Sequence, residues 1–386
     1  MGDRTRKILV VDDEPDLERL MRQRMRREVR DGRYEFSFAH DGFEALERLH
    51  EDREIEMVLS DINMPGMDGL TLLDQIPKVD PNIRAVIVSA YGDMQNIRTA
   101  MNRGAFDFVT KPIDFNDLKV TIDKTLSHLQ LLREALETRD RLVALQNELD
   151  VASRMQQSIL PTVFPKTPGY QVFGQMEAAR EVGGDFFDII NLEGGRIGLT
   201  IADVSGKGVP AALFMMSSRT LMKGSAIGLP DPADVVEEVN GLLEADNEAA
   251  MFVTLFYAVL DPESGTLQYA NGGHNPPLIV HPGGSSALLP TTGGVALGVM
   301  PGFSYRQSET TLAPGDIAVL YTDGVTEAMN AKDEEFGVER LQAVFEERQP
   351  ESARAVSEAI FDAVHEFAGS TPQSDDITCL IVMREA

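Results

Sequence analysis

The sequence predicts an α/β domain with a five-stranded parallel, doubly wound sheet, then a long helical coiled-coil linker, then an α+β domain built as a layered β-sandwich. In residues 1–115, short apolar runs alternate with amphipathic stretches. Residues 116–160 keep helical spacing, and residues 161–386 contain short strand-like runs with three helical regions. A chain of 386 residues is also too long for one ordinary core. We therefore expect domains at 1–115 and 161–386, joined by a linker at 116–160.

Composition limits the classes of function. The formal net charge of -27 argues against a protein that wraps a nucleic-acid backbone, because such proteins need clustered Lys and Arg. No apolar run is long enough to span a bilayer, and the first residues do not resemble a secretory signal. The single cysteine, Cys379, excludes an internal disulfide framework. We therefore expect a cytoplasmic protein that binds neither nucleic acid nor membrane.

The strands of the first domain are predicted at "KILVV", "EFSFA", "MVLS", "RAVIVSA" and "DFVT", with amphipathic helices between them. In such parallel sheets, ligands bind at the carboxyl ends of the strands. Asp12 and Asp13 follow the first strand, and Asp61 follows the third. Three carboxylates at one edge repel one another unless a hard cation is present, and oxygen ligands of this kind suit Mg²⁺. The sequence therefore predicts a magnesium site at this edge.

The same edge carries the groups needed for phosphoryl transfer. Asp61 can act as a nucleophile, with Ser89 and Lys111 placed to hold phosphoryl oxygens. In this order, "VVDDE", "LSDINMPGMDG", "VSA" and "TKP" resemble the receiver domain of bacterial response regulators. The resemblance implies that Asp61 is phosphorylated by a sensor histidine kinase or a phosphotransfer protein, and that the backbone carbonyl of Asn63 joins the three aspartates on Mg²⁺. It also places Phe108 where the family has an aromatic that changes rotamer; the alternative is that Phe108 fills the core.

Residues 116–160 are predicted to form one helix, about 70 Å long at 1.5 Å per residue. Apolar residues follow a seven-residue repeat that changes phase near Arg139. They are Leu118, Ile122, Leu129, Leu132, Leu136 and Val143 before the shift, and Leu142, Leu145, Leu149 and Ala152 in the shifted phase. One small domain cannot bury so long a helix, so we expect a two-stranded coiled coil and a homodimer. The phase shift is either a switch point or a static irregularity.

Prolines at positions 161, 165 and 168 end the helical pattern and begin a new fold. Strands are predicted at "YQVFGQME", "RIGLTIAD", "FVTLFYAVLD", "TLQYANGG", "DIAVLYTDG" and "DITCLIVMR". The helical regions lie near "PAALFMMSSRTLMKG", "DPADVVEEVNGLLE" and "ESARAVSEAIFDAVHEFAG". Groups of strands with helices laid on them indicate an α+β sandwich.

Aspartates recur at the strand ends of this domain. They are Asp185 in "GGDFFD", Asp203 in "ADVSGKG", Asp323 in "YTDGVTEA", and Asp375 and Asp376 in "SDDITC". Four carboxylates from four separate segments could assemble a site for two divalent cations, which would neutralise them. Two such ions can activate a shared water and clamp a phosphoryl group for in-line attack. His274, in "NGGHNPP", is predicted to be a turn or capping residue rather than an acid catalyst.

This set of motifs resembles the metal-dependent 2C-type Ser/Thr phosphatases, specifically their bacterial SpoIIE/RsbU branch, from about Met155 onward. The ligands that the resemblance implies for two Mn²⁺ or Mg²⁺ ions are Asp185, Asp203, the backbone carbonyl of Val204, Asp323 and Asp375. Asp376 ranks second, because relatives in the wider superfamily often have Asn there. Arg180 either binds the substrate phosphate or forms a surface ion pair.

Together these features predict a response regulator in which phosphorylation of Asp61 controls a Ser/Thr phosphatase. The resemblance implies that the substrate is a phosphorylated STAS-type anti-sigma-factor antagonist in a partner-switching pathway. The alternative is a phosphorylation-controlled dimeric partner-binding protein whose phosphatase-like domain is inert. The complete set of acids favours the enzyme. Whether phosphorylation activates the phosphatase or relieves its inhibition is left open.

Overall fold

The computed structural model describes residues 5–90, 92–245, 247–347 and 351–386. The chain forms two compact units, Met1–Ala144 and Leu145–Ala386. The predicted fold classes are confirmed, since the structure has a five-stranded parallel sheet, one long helix and a two-sheet α+β sandwich. No helix in these four described ranges is long and apolar enough to cross a membrane.

Strands and helices alternate in the first unit. The elements are β1 (Arg6–Val11), α1 (Pro15–Arg24), α2 (Arg26–Arg30), β2 (Tyr34–Ala39), α3 (Gly42–Glu51), β3 (Ile55–Asp61), α4 (Gly69–Val79), β4 (Arg84–Ala90), α5 (Met94–Asn102) and β5 (Asp107–Lys111). The strand order is β2-β1-β3-β4-β5, and all pairs are parallel. One hydrophobic cluster lies on each face of the sheet. Burial on both faces explains why these strands read as continuous apolar runs.

Helix α6 (Phe115–Ile159) is a single helix of 45 residues. It contains neither glycine nor proline. Asp114 caps its start by accepting from the N–H of Asn116 at 2.8 Å, and Pro161 follows its end. Its first turns bury Leu118, Ile122, Leu126 and Leu129 in the core of the first unit. The early part of the segment expected to be a linker therefore also packs in this unit.

The second unit begins with the end of α6 and continues through two sheets and five helices in its described residues. The elements are β6 (Tyr170–Glu177), β7 (Phe186–Asn191), β8 (Ile197–Val204), α7 (Val209–Gly228), α8 (Pro232–Ala245), β9 (Val253–Leu260), β10 (Thr266–Gly272), β11 (Leu278–Val280), β12 (Ser286–Leu288), β13 (Gln307–Thr311), β14 (Ile317–Tyr321), α9 (Asp323–Thr326), α10 (Gly337–Glu347), α11 (Ala353–Ala368) and β15 (Ile377–Arg384). A short 3₁₀ turn, Glu193–Gly195, joins β7 to β8.

The two antiparallel sheets of the second unit have the orders β13-β10-β9-β8-β7 and β12-β11-β14-β15-β6. A cluster that includes Phe187, Phe256 and Leu380 fills the space between them. A second cluster packs α7 and α8 on the first sheet, and a third packs α10 and α11 on the other. The result is a four-layer sandwich, and strands from both sheets supply the predicted acidic residues.

Candidate functional site

The first acidic site lies at the carboxyl edge of the parallel sheet. Strands β1 and β3 are neighbours, with Val11 opposite Ser60, so the residues that follow them meet. Asp12, Asp13 and Asp61 each offer a carboxylate oxygen, and the three oxygens lie within 4.8 Å of one another. Asp12 and Asp61 are buried, whereas Asp13 is exposed. The structure thus brings together the three predicted magnesium ligands.

Lys111 supplies the positive charge in this cluster. Its Nζ lies 2.6 Å from Asp61 Oδ2, 3.0 Å from Asp12 Oδ2 and 3.1 Å from Glu14 Oε1. Burial lowers the pKa of Lys111, but its hydrogen bonds with Asp61, Asp12 and Glu14 outweigh burial and raise the pKa above its usual value. Burial also raises the pKa of Asp12. The ammonium group of Lys111 thus already compensates part of the negative charge of Asp12 and Asp61. The carboxylate oxygens at this edge are also ligands that suit Mg²⁺.

The other predicted residues of this site lie at the same edge. Ser89 is completely buried, and its Oγ has no hydrogen-bond partner among the described residues. A buried hydroxyl without a hydrogen-bond partner is uncommon, and this one remains able to donate a hydrogen bond to a phosphoryl oxygen. The N–H of Asn63 donates to Asp61 Oδ1 at 3.3 Å. Phe108 is 37% exposed, so it does not fill the core.

In the second unit, Asp185 is fixed by hydroxyl groups from two strand ends of the other sheet. It is 1% exposed, and its Oδ2 accepts from Thr322 Oγ1 at 2.7 Å and from Thr378 Oγ1 at 2.6 Å. Thr322 directly precedes Asp323. Thr378 lies on β15, two residues after Asp376. The two threonines therefore connect three of the acidic segments through one carboxylate.

Two glycines allow the loop before Asp185 to approach other groups closely. A Cβ on Gly184 would lie 2.9 Å from the backbone oxygen of Val204, which is the carbonyl predicted to bind a metal ion. The N–H groups of Gly184 and Asp185 donate to Asp376 Oδ2 at 2.6 and 3.3 Å, and that of Ala179 donates to Asp376 Oδ1 at 2.8 Å. Both carboxylate oxygens of Asp376 therefore accept hydrogen bonds from the backbone before β7 and hold this loop.

The remaining acids are electrostatic neighbours. Burial, followed by the charges of Asp323 and Asp375, raises the pKa of Asp203 to about 7. Burial, with a further contribution from Asp375, raises the pKa of Asp323. Burial raises the pKa of Asp185 well above its usual value, and the charge of Asp203 adds to this effect. Each of these shifts disfavours the charged form of the carboxyl group, and a bound divalent ion would oppose the shift.

One positive group approaches this cluster. Lys207 Nζ lies 2.9 Å from Asp375 Oδ2 and also contacts the carbonyl of Ser374. No three acids of the described second unit offer oxygens that all lie within 4.8 Å of one another, in contrast to the first site. Four carboxylates that serve two ions need not meet at one point. The donor set is oxygen-only and fits Mg²⁺ or Mn²⁺.

His274 is buried and contacts the strand that pairs with the strand of Asp203. It is 5% exposed, its Nδ1 lies 2.9 Å from Thr254 Oγ1, and Thr254 is opposite Asp203 in the β8–β9 pairing. Asn271 binds the backbone of His274 through both ends of its amide. Burial lowers the pKa of His274 to about 4, so the ring is neutral at pH 7. The histidine is thus a buried residue of the segment between β10 and β11, held by Thr254 and Asn271.

Arg180 precedes the glycine loop on the surface. It is exposed and forms no ion pair with any other residue in the described ranges, so the predicted surface ion pair is not found. Sequence reasoning did not single out Lys207 or Gln156 as individual residues. Lys207 binds Asp375, and the side-chain amide of Gln156 binds the backbone of Gly183. Neither residue belongs to a recognisable ligand pattern, and only the tertiary contact marks it.

Comparisons with known proteins assign both units. The sequence model for stage II sporulation protein E (SpoIIE) matches residues 193–385, which is half of the chain. The chain belongs to the SpoIIE family. The model for the response regulator receiver domain matches residues 8–123. This SpoIIE-family chain therefore carries a receiver domain followed by a phosphatase domain of the PP2C type.

Individual relatives agree with this assignment. Phosphoserine phosphatase RsbU of Bacillus subtilis (strain 168) is 28% identical over 277 residues, which cover 70% of this chain and 80% of RsbU. Protein IcfG of Synechocystis sp. is 31% identical over 265 residues, which cover 61% of this chain and 41% of IcfG. The solved structure of the SiaA-PP2C domain of Pseudomonas aeruginosa is 25% identical, with a TM-score of 0.55, and covers 64% of this chain and 99% of that domain. Each of the two acidic sites lies in a unit that one of the two sequence models matches.

Proposed function

We propose that this chain is a response regulator in which phosphorylation of Asp61 controls a Ser/Thr protein phosphatase. The observation that carries the proposal is the second acidic site, where four aspartates from four segments lie together and Asp203 has a pKa of about 7. Repulsion among these buried carboxylates destabilises the fold, so their clustering is best explained by a functional cation site. We further propose the division into receiver (1–115), linker (116–160) and phosphatase (161–386), with the first turns of α6 serving both of the first two parts.

In the phosphatase, we assign two Mn²⁺ or Mg²⁺ ions to a set of oxygen ligands from four segments. These are Asp185, Asp203, the Val204 carbonyl, Asp323 and Asp375. Bound there, the ions would lower the pKa of a water and stabilise negative charge on the phosphoryl group. Thr322 and Thr378 fix the orientation of Asp185. We also assign Arg180, which has no acidic partner in the described chain, to binding of the substrate phosphate.

In the receiver, Asp12, Asp13, Asp61 and the Asn63 carbonyl would hold Mg²⁺. An oxygen of Asp61 attacks the phosphorus of a phosphohistidine on a sensor kinase or phosphotransfer protein, and the phosphorus–nitrogen bond breaks as the new bond forms. The product is an acyl phosphate on Asp61. Lys111 then binds its oxygens together with the hydroxyl of Ser89, which has no hydrogen-bond partner among the described residues. Phe108 lies on β5, three residues before Lys111, and its exposed ring is free to change rotamer.

The substrate and the setting are also part of the proposal. We assign phosphoserine or phosphothreonine on a STAS-type anti-sigma-factor antagonist as the substrate, in a partner-switching pathway in the cytoplasm. RsbU, named a phosphoserine phosphatase, supports the reaction class. Helix α6 supports a homodimer, because Leu131, Leu142, Val143 and Leu145 on it are each more than half exposed, at 66%, 61%, 55% and 53%. A second copy of the helix would cover them.

The test compares wild type with Asp203→Asn, each with Mn²⁺ or Mg²⁺ and a generic phosphoester, with and without beryllofluoride as a mimic of phosphorylation at Asp61. We expect metal-dependent turnover that responds to the mimic and falls at least about 100-fold in the variant. Turnover that ignores the mimic would contradict receiver control. If no state turns over a generic phosphoester or a phosphorylated STAS protein, while the STAS protein still binds, the chain is the inert partner-binding dimer instead.

A further inference from the structure

A cavity lies beside the acidic site of the second unit. Its volume is about 160 Å³, and its wall is formed by α9 and the residues after it, the end of α11 and the segment that leads into β15. Gly324, which directly follows Asp323, belongs to this wall, and so does Asp375. The cavity therefore borders on the place where the proposed metal ions would hold the phosphoryl group of a substrate.

The floor of the cavity is apolar. Val364 of α11, Ile377 of β15 and Ala328 are buried and belong to the hydrophobic cluster under α10 and α11. His365 and Ser374 on the wall are exposed, so the cavity opens to solvent. An apolar cavity of about 150 Å³ in a protein can bind a molecule of the size of benzene. One apolar side chain of the size of leucine therefore fits here.

The two ionisable side chains of the wall already have partners. Lys207 Nζ lies 2.9 Å from Asp375 Oδ2, and His365 Nε2 lies 3.4 Å from Glu177 Oε2. Gln373 Nε2 donates to the carbonyls of Glu177 and Asp375 at 2.9 and 2.7 Å. A charged occupant would have to compete for these groups, whereas an apolar occupant gains free energy by leaving water. The chemistry of the wall thus favours an apolar occupant.

We propose that this cavity binds an apolar side chain of the phosphorylated protein substrate, and so selects substrates by the residues that flank the phosphoserine or phosphothreonine. The inference rests on the proposed function, because it adds a specificity pocket to the phosphatase site. Asp375 belongs both to the cavity wall and to the proposed metal ligands, so the two sites are neighbours. An extended peptide advances about 3.3–3.6 Å per residue, which places the selected side chain within about three residues of the phosphorylated one.

The test uses short phosphoserine peptides of glycine and alanine that carry a single leucine, placed in turn at each of three positions before and after the phosphoserine. With full-length wild type and Mn²⁺, we expect the leucine at one position to raise kcat/KM at least about 10-fold over the peptide without leucine. Ala368→Leu adds side-chain volume at a half-buried position of the cavity wall and should abolish this preference. Ala355→Leu, at a half-buried position of the same helix outside the wall, is the matched control and should keep it.

The preference is a ratio measured in one enzyme preparation, so it does not depend on the fraction of the enzyme that is active. A second variant, Val364→Ala, makes the opposite change by widening the cavity floor. We expect it to shift the preference from leucine toward phenylalanine at the same peptide position by about 10-fold. An unchanged order of the two peptides would overturn the inference even if Ala368→Leu does not fold.

Two further results would overturn the inference while leaving the proposed function intact. One is a wild type that turns over the generic phosphoester but has no leucine preference, including one that cleaves none of the peptides. The other is a leucine preference that Ala368→Leu retains in full. Failure of the proposed function gives a different result, namely turnover of neither the generic phosphoester nor any peptide, and it removes the specificity pocket as well.

Discussion

At the scale of single residues, Asp203 shows how the acidic site affects stability. Its pKa of about 7, against the ordinary 3.8, means that the folded metal-free protein binds a proton more tightly than the unfolded chain does. The stability of the metal-free fold therefore falls as pH rises from about 4 to about 7, and the loss is complete above that range. At about 1.4 kcal/mol per tenfold change in proton affinity, a change in pKa from 3.8 to about 7 corresponds to a loss on the order of 4 kcal/mol.

Asp203→Asn removes the charge and should therefore stabilise the metal-free protein at pH 8, by roughly 1–3 kcal/mol, with a smaller gain at pH 5. Adding Mn²⁺ should reverse the order, because only wild type keeps the full ligand set. Thermal unfolding followed by circular dichroism, in chelator and then in Mn²⁺, measures both effects. Asp333→Asn, at an exposed aspartate, should change neither. If Asp203→Asn is less stable than wild type in chelator at pH 8, the charged Asp203 carboxylate does not destabilise the metal-free fold.

At the scale of elements, the loop between β6 and β7 depends on its glycines for close approach. Gly184→Ala would place a methyl group 2.9 Å from the Val204 oxygen, and a backbone carbonyl cannot swing aside as a long side chain can. We expect phosphatase activity to fall roughly 10–100-fold, because small displacements of catalytic geometry have effects of this size. Steady-state kinetics with a generic phosphoester measures the loss.

Gly224→Ala in α7 is the matched control for this substitution. A Cβ at Gly224 would meet no atom within 4 Å. Alanine should leave activity unchanged and stabilise the helix by about 0.5–1 kcal/mol. If both variants keep full activity, the contact between the loop and the Val204 carbonyl has no part in the reaction.

The elements also show what sequence can predict. The acids at the ends of β1, β3, β8 and β14 were predictable, because strand ends can be read from apolar runs and the two folds bring those ends together. Strand β7, helices α9 and α10 and the short strands β11, β12 and β13 were not predicted. Most of these elements are short or only partly apolar and owe their stability to packing.

Side-chain roles that depend on distant contacts were also beyond sequence reasoning. Asp376 reads as a metal ligand in "SDDITC", yet its oxygens are taken by N–H groups almost 200 positions earlier. Gln156 reads as one of two equivalent glutamines, and only burial separates it from Gln157. The sequence allows two roles for Phe108, and the exposure of its side chain excludes the core. A sequence motif can indicate which kind of chemistry a residue offers, whereas the tertiary fold determines its hydrogen-bond partners.

At the scale of the whole molecule, the exposed apolar residues of α6 predict self-association. Leu142→Glu combined with Leu145→Glu places two charges where a second helix would pack, so we expect the dimer to dissociate at least about 10-fold more readily. Sedimentation equilibrium of the full-length chain, with and without beryllofluoride, measures this change. Gln146→Glu adds a charge at an exposed polar position of the same helix and should leave association unchanged. Wild-type protein that stays monomeric in both states would contradict the homodimer.

Helix α6 has a further consequence for how such a chain can be rebuilt. Because it runs for 45 residues without glycine or proline, it has no internal joint that could absorb a change in length. Each residue inserted into it would advance the far end by about 1.5 Å and rotate it by about 100°. A different module could therefore replace the first unit without shifting the seven-residue repeat of α6 only when it is spliced in phase. Insertions of seven residues nearly preserve that phase, and insertions of two reverse it.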